Sequence, residues 1–588
     1  MVMSKTWSSP TLRSIKASMR LLAVLLLLGV TQRPLTAQPN GNPGAPQPSA
    51  GGSAAPSGLE SDVLALAREL FIEMHCFWSN FGPDNRYGGF YATLGRQGNP
   101  IQPTAKGVVQ QARHLYFFSA HHMALNDPWV GPLVLSDRGG ASPGSTACGA
   151  PLTDSAQGPN SSGASMSDQQ ALAKKLADQA HGFLTLHMRN PATGLFYTTV
   201  TPNGSDVIDA GPLLNGNLMA VYALAVYARA FNYTAARDEA LETFLALDAL
   251  LYDKQYGGYN ELLSVPPWGP NPKTLNGLLA LTQATMELAR VVPENPTVMD
   301  RLRECLRLFP ERVVVMPEGY ARQEFSANWS TAVGDASGGG GRNEVSYGMQ
   351  LAASWVLLEA IPVAYGNSGG GGGSGGDDAA GSVRAAALKL GNTAVMEGYH
   401  YGHGGFFLSG SWNRTSDKTW DKLWWVQAEA LPALWQLYIS AASSAGPYDT
   451  SSGSGAATYL HYLKETLQWI RNCQSDSKYG EWYWLTYGDC SVAQSYNSGG
   501  YEYAGSVKGN IWKASYHNGR ALLTLIRYLL GGAPGVPAAS QQAGCTNVVG
   551  TVDLGSSSCK AVALTGLAYE RVPERWVCVA RGLSNVGH

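Results

Sequence analysis

Six short segments of this 588-residue chain repeat one pattern, glycine beside aromatic residues, and each lies between two runs of helix length. They are YGGFYATLGRQG from Tyr87, TGLFYTTVTPNG from Thr193, YGGYNELL from Tyr256, EGYARQEF from Glu318, HGGFFLSG from His403 and YGEWYWLTYG from Tyr479. Glycine permits positive φ and close backbone approach, so these segments are expected to form tight hairpin-like turns, with their aromatics plugging a pore mouth. The runs before them lie near 59–78, 168–188, 235–252, 296–308, 380–398 and 457–473, and the runs after them near 104–125, 213–231, 273–291, 346–364, 423–441 and 516–530. Apolar residues recur there at helical spacing. A lone helix pair cannot bury both its faces, so repeated pairs must stack on one another. Twelve helices in six pairs predict an all-α fold, an (α/α)6 barrel with short turns over one rim; an open solenoid is the structural alternative. The second helix of each pair is apolar around more of its circumference, as an inner ring requires.

Four low-complexity stretches, at about 136–167, 333–342, 366–382 and 442–456, interrupt the frame and read as solvated loop insertions. Ahead of the barrel, Lys5, Arg13, Lys16 and Arg20 precede LLAVLLLLGV, no acid appears before Glu60, and Leu35-Thr36-Ala37 suits a cleavage site. Residues 1–37 therefore read as a signal peptide, the apolar run being too short for a membrane span. A plastid-type transit peptide is the rival. Residues 38–58 form a flexible Pro/Gly/Ser linker, 59–532 the barrel, and 533–588 a tail without clear periodicity. Sequons at Asn160, Asn203, Asn232, Asn328 and Asn413 fit a secreted or luminal glycoprotein. The eight cysteines are scattered, Cys473/Cys490 being one pairing open to them, and no CxxC suggests zinc.

A net charge of −2 with 14% charged residues and no basic stripe argues against nucleic acid and anionic membrane surfaces as partners. Sixteen tryptophans and 28 tyrosines suit a carbohydrate surface, since sugars present flat C–H faces to rings, although a large helical core also needs them.

The barrel predicts where chemistry lies, because the turns and the starts of the six inner helices share one rim. Those starts carry Arg113, Asn215, Asn276, Tyr347, the set Trp424, Trp425 and Glu429, and finally Trp512 and His517. Singly, each has an ordinary structural explanation: an arginine as ion-pair partner, a helix-start histidine as cap. Six polar or aromatic sets at equivalent places on six repeats point instead to a shared pocket.

These residues carry a family resemblance. ARHLYFFSA, SYGMQLAASWVLLEA, WWVQAEA and WKASYHNGRA, in that order and spacing, resemble the N-acylglucosamine 2-epimerase and cellobiose 2-epimerase family over roughly 59–532. The resemblance implies an (α/α)6 barrel acting on a reducing mono- or disaccharide by epimerisation at C2 or aldose–ketose interconversion. It implies no redox cofactor, although some mammalian-type members bind ATP as an effector; no P-loop is visible here. His517 matches the family's YHNGR histidine, Arg113 the first-helix arginine and Asn276 the third-helix asparagine. Trp512 and one of Trp424/Trp425 match sugar-stacking tryptophans, and Glu429 falls where the family has the same glutamate. Tyr347 joins them as a substrate-binding residue. Histidine suits proton transfer beside a carbonyl because its ordinary pKa of ~6.5 lies near neutrality, and Arg113 and Asn276 are placed to steady an enediolate oxygen.

The chain also departs from that family. Where it usually reads N-x-H-x-H-x-x-E, this sequence has NGLLALTQ, with Ala280 and Gln283 at the second histidine and glutamate; where it reads SYGHD, Met349 and Gln350 stand. One half of the acid/base pair is replaced, which weakens inversion at C2 more than a one-face 1,2 shift. His403 and His114 are the alternative second groups. Two other readings stay open: a non-catalytic carbohydrate-binding barrel, and a glycoside hydrolase or lyase drawing its carboxylates from Glu261, Glu324, Glu344 and Glu429. The sugar and the oligomeric state, homodimer included, are not legible.

Overall fold

The computed structural model describes residues 58–135, 165–211, 214–261, 272–330, 344–366, 376–411, 419, 421–444, 453–498, 500–530, 568–572 and 575–579. The leader, almost all of the linker, most of the low-complexity stretches and most of the tail, with Asn160 and Asn413, lie outside them.

Twelve long helices alternate between two concentric layers. The outer helices are Gly58–Phe81, Met166–Phe183, Thr234–Leu251, Pro296–Leu308, Gly376–Gly398 and Gly453–Trp469. The inner helices are Val108–Leu125, Leu214–Phe231, Leu275–Val291, Tyr347–Tyr365, Trp424–Ser444 and His517–Leu529. Each inner helix packs on the next and the sixth packs on the first, so the ring is closed; each outer helix packs on the inner helix that precedes it. The inner helices are apolar all round because they face neighbours on every side: from Tyr347 to Tyr365 almost every residue is buried. The (α/α)6 barrel expected from the repeats is the fold found, and the open solenoid is excluded by the closed ring. Two of the low-complexity stretches are shorter than their composition suggests, since 376–382 and 442–444 with 453–456 are helical.

The turns share one geometry. An antiparallel contact joins residues seven apart in all six repeats: Pro83 to Phe90, Arg189 to Phe196, Tyr252 to Tyr259, Val314 to Ala321, Tyr399 to Phe406, Ser475 to Trp482. Of the turn aromatics, Trp484 of the sixth segment lines a cavity on this rim, while most of the others do not plug the mouth as expected. Phe90, Phe196, Phe406 and Trp482 are buried in the core, and at the three phenylalanines an inner-helix amide grips the backbone and holds the ring inward. Gln111 accepts from Phe90 N and donates to Phe90 O, both at 2.9 Å. Asn217 does the same for Phe196 and Gln427 for Phe406, and Gln350 accepts from Ala321 N at 2.8 Å. Glycine precedes the aromatic because a Cβ at Gly89 would lie 2.6 Å from Gln111 Oε1, and one at Gly405 2.8 Å from Gln427 Oε1.

The first residues of the inner runs, expected to be helical, are short strands instead. Lys106–Gly107 pairs with Thr199–Val200, Lys273–Thr274 with Glu324–Phe325, Glu344–Ser346 with Ser409–Ser411, and Asp421–Leu423 with Leu485–Tyr487. Each pairing ties the start of one inner helix to the turn of the next repeat. Backbone bonds from Leu94 N to Gly509 O and from Lys508 N to Leu94 O close the series between last repeat and first. The inner-helix starts are thus held by backbone bonds, not by free loops.

Cys473 and Cys490 form a disulfide, and Cys76 is also disulfide-bonded. In the tail, where no element was expected, Ala568–Val572 and Arg575–Val579 pair as a hairpin. Among the described residues, no helix is long and apolar enough to cross a membrane.

Candidate active site

Because six inner helices begin on one rim, their first turns enclose a common space. A cavity of about 240 Å³ lies there, lined by residues from every inner helix. Arg113, Asn215, Asn276, Trp424, Trp425, Glu429, Trp512 and His517 all line it, as do the departures Ala280, Gln283 and Met349.

Tyr347 does not reach it. Its ring turns away into a small cluster with Val345 and Phe407, filling room left by Gly398 and Gly410, where an added Cβ would overlap the ring. Gln350 is the turn clamp described above, so its amide performs a structural task rather than standing in for a catalytic acid. His114 is fully buried against Ser515 at 2.9 Å, and His403 stacks on His400 on the turn; neither lines the cavity. Glu261, Glu324 and Glu344 are absent from its wall, which leaves Glu429 its sole carboxylate among the described residues. The two-carboxylate arrangement of glycoside hydrolysis is not assembled.

The segment presenting Trp512, Tyr516 and His517 is fixed from beneath by Glu481. That carboxylate is fully buried and accepts from Trp78 Nε1 at 2.6 Å, Asn518 Nδ2 at 2.8 Å and Lys513 Nζ. Glu481 stands where three of the other five turns have a second glycine (Gly89, Gly258 and Gly405), and it shares their left-handed conformation with a φ of 61°. A non-glycine residue there is strained by roughly 1–2 kcal/mol, offset by the buried ion pair and hydrogen bonds. YGEW among YGGF, YGGY and HGGF is a sequence signal for this anchor that went unread.

His517 opens the sixth inner helix with its side chain 16% exposed. Its Nδ1 lies 2.7 Å from Glu429 Oε1. Glu429 also accepts from Arg520 Nη2 at 2.5 Å and from Trp355 Nε1 at 2.8 Å. Burial alone would raise the Glu429 carboxyl, but the Arg520 charge and the His517 hydrogen bond outweigh it and hold it down to about 2. An ionised carboxylate only accepts, so the ring carries its proton on Nδ1 and leaves Nε2 as a free base. Burial, then the neighbouring Arg113 guanidinium, lowers His517 to about 4. It is neutral throughout the physiological range.

Arg113 donates to the Trp512 carbonyl and lies over the Tyr516 ring, 5.2 Å from its centroid. Trp424 and Trp425 each have ring centroids 6.0 Å from His517. Trp484, not singled out from sequence, lies tilted against Trp424 with centroids 4.2 Å apart and stacks on Tyr496 at 4.7 Å. Tyr222, Tyr516 and Arg520 also escaped notice. Arg520 is legible in hindsight, since a residue three positions after His517 shares its helix face. The result is one imidazole, two guanidiniums (Arg113 and Arg520) and four tryptophans around a small, largely apolar cavity, a set able to stack on a flat C–H face and to exchange a proton.

Comparisons with known proteins bear on the fold and the family. A family model described as N-acylglucosamine 2-epimerase matches residues 161–503. Cellobiose 2-epimerase of Bacteroides fragilis is 22% identical over 473 residues, covering 78% of this chain and 97% of that protein. The structure of cellobiose 2-epimerase from Bacillus thermoamylovorans superposes with a TM-score of 0.60 at 18% identity, over 80% of this chain and 99% of the other. A crystal structure of D-mannose isomerase gives 0.58 at 14%, over 81% and 100%. With the family model covering more than half of its length, the chain belongs to the N-acylglucosamine 2-epimerase family.

Proposed function

We propose that the chain is a sugar isomerase or epimerase in which His517 transfers the proton next to the carbonyl of an open-chain mono- or disaccharide. The observation that carries this is the Glu429–His517 pair: a buried carboxylate fixes the tautomer and leaves Nε2 basic at the wall of a tryptophan-lined cavity. Nε2 takes the C2 proton of the aldose, and the electron pair passes into an enediolate. Arg113 is near enough to His517 to act on its charge and is the guanidinium placed to stabilise that oxyanion. The imidazolium then returns the proton to C1 while the O2 hydroxyl proton passes to O1, giving the ketose; return to C2 on the same face regenerates the starting aldose.

A second base is what opposite-face delivery would need, and among the described residues His517 is the only histidine on the cavity wall, which Ala280, Gln283 and Met349 also line. That favours the one-face aldose–ketose shift over inversion at C2. The same observation supports the second reading, a barrel that binds carbohydrate without turnover.

Proton NMR of glucose, mannose, N-acetylglucosamine and cellobiose incubated in D2O with the protein separates these. Deuterium at C1 or C2, lost in His517→Ala, is the expected result, and the product resonances tell ketose from epimer. No exchange with any of these sugars at high protein loading would sink the catalytic reading. Saccharide binding by calorimetry would then sustain the carbohydrate-binding one.

A secretory-pathway location is the other part of the proposal. The Cys473–Cys490 bridge supports it, as do the exposed sequon asparagines Asn203, Asn232 and Asn328. Mass spectrometry of protein from its native cells should find cleavage near Ala37 and glycan on these sites. An intact leader and bare sequons would refute it.

A further inference from the structure

The barrel has a second, larger cavity at its other end. About 850 Å³ in volume, within the usual ~300–1,000 Å³ of small-molecule sites, it is lined by the last turns of inner helices, with Trp129 standing 53% exposed at its rim. Along its wall Arg229, Glu287, Arg290, Glu359 and Arg527 form one alternating chain. Arg229 meets Glu287 at 2.8 Å and Arg290 bonds Glu287; Arg290 meets Glu359 at 3.4 Å and Arg527 meets Glu359 at 3.1 Å.

With Lys174, Arg520 and Asp127, which also line the cavity, the wall holds five cationic side chains and three carboxylates, a surplus of two positive charges. Arg229, Arg290 and Arg527 each lie in the last turn of an inner helix, where the carbonyl ends carry about half a negative charge per helix. The wall is therefore close to neutral while presenting donors and acceptors in alternation beside aromatic faces. That suits a hydroxyl-rich neutral molecule and does not suit a polyanion.

Only one layer of side chains separates this cavity from the active site. Tyr222 and Arg520 line both. Two of the three donors to Glu429, Arg520 and Trp355, line the far cavity, and the third is His517. An occupant that draws Arg520 or Trp355 toward itself loosens their hold on Glu429 and so changes the charge and position of the carboxylate that orients the base.

We propose that the far cavity is a regulatory site for a neutral saccharide, coupled to His517 through Arg520, Trp355 and Glu429. The inference rests on His517 being the reacting base, but its binding step does not. Trp129 and Lys174 supply the test, because both belong to the far wall and stand well out of the core, Lys174 with its side chain 50% exposed.

Calorimetry with methyl α-D-mannoside and with cellobiose, on full-length protein made in a non-glycosylating host so that Asn232 at the rim is bare, counts sites without requiring turnover. The Trp129→Ala/Lys174→Ala variant should bind one saccharide fewer per chain than the unaltered protein. Methyl α-D-mannoside has no free carbonyl and cannot react; at saturation it should change kcat by about fivefold, at the low end of allosteric couplings, in the unaltered protein and not in the variant. Equal site numbers in the two proteins overturn the proposal. So does displacement of the effect by inorganic phosphate or ATP with no saccharide bound at that end. A lost site without a kcat response refutes the coupling, and a lost site in a protein that exchanges no substrate deuterium means the proposed chemistry, not the site, has failed.

Discussion

Arg520 and His517 converge on a single oxygen: Oε1 of Glu429 takes the Arg520 guanidinium at 2.5 Å and the His517 Nδ1–H at 2.7 Å. Glu429 and Arg520 are almost wholly buried. The arginine keeps the carboxylate ionised and the carboxylate fixes the ring, so the tautomer of His517 depends on Arg520 through Glu429.

Glu429→Gln breaks that dependence. The amide has an N–H to offer, so His517 loses its enforced Nδ1–H form, and Arg520 is left as a buried charge without its counterion. Turnover should fall on the order of a hundredfold, and stability by roughly 3–5 kcal/mol. Steady-state kinetics and urea denaturation read the two effects separately. Unchanged kcat in a stable variant would show that the pair does not orient the base.

Arg113→Gln tests the electrostatics of the same ring. Burial and the Arg113 charge both disfavour protonated His517, which brings it down to about 4. The acid limb of kcat/KM should accordingly lie near that value in the unaltered protein. Without the guanidinium the protonated form becomes less costly, so the limb moves to higher pH, while kcat falls through the lost oxyanion contact. A limb that stays in place would remove Arg113 from the electrostatics of the site.

Three histidines between the first outer and first inner helices make the fold sensitive to acid. His75, His114 and His121 are fully buried and burial lowers all three, His121 to about 4. The unfolded chain binds protons from about pH 6.5 downward while the folded one resists. Stability is therefore complete above about pH 6.5 and is lost as pH falls toward 4. Charging His121 alone costs on the order of 3 kcal/mol. Thermal melts from pH 7 to 4.5 should show a falling midpoint, with a shallower fall in His121→Gln. Parallel pH dependence in the two proteins would clear His121 of the effect.

Glu481→Gly restores the residue that other turns carry and relieves the left-handed strain, yet it should damage the protein. It strands Lys513 as a buried unpaired cation and frees Trp78 and Asn518. A loss of roughly 3–5 kcal/mol is expected, with sugar binding weakened as Trp512 and His517 lose their footing. A variant as stable as the parent would show that the ion pair contributes nothing beyond matching the strain.

The helices were legible because each repeat is built from local signals: helical periodicity, then a glycine, then an aromatic. Cavity residues at the first turns followed from that geometry, which is why Arg113, Asn276 and His517 could be named together. Tyr347 failed because its direction depends on Gly398 and Gly410, 51 and 63 residues away in sequence. Gln350 was misread because one family motif was weighed in isolation. Gln111, Asn217, Gln350 and Gln427 each occupy the fourth position of their inner helix, and that internal repetition marks a turn clamp. The Glu429–Arg520 contact spans 91 residues and lay beyond any local pattern.

The bonds that join Leu94 to Lys508 and Gly509 give the molecule a particular relation to its own synthesis. Arg113 leaves the ribosome in the first fifth of the chain and His517 among the last residues of the barrel. Every nascent chain shorter than that carries an open arc of helix pairs, with one raw edge on Gly58–Phe81 and no base in its pocket. The final inner helix both seals that edge and delivers His517, so closure of the ring and completion of the cavity wall are a single event in the life of the chain.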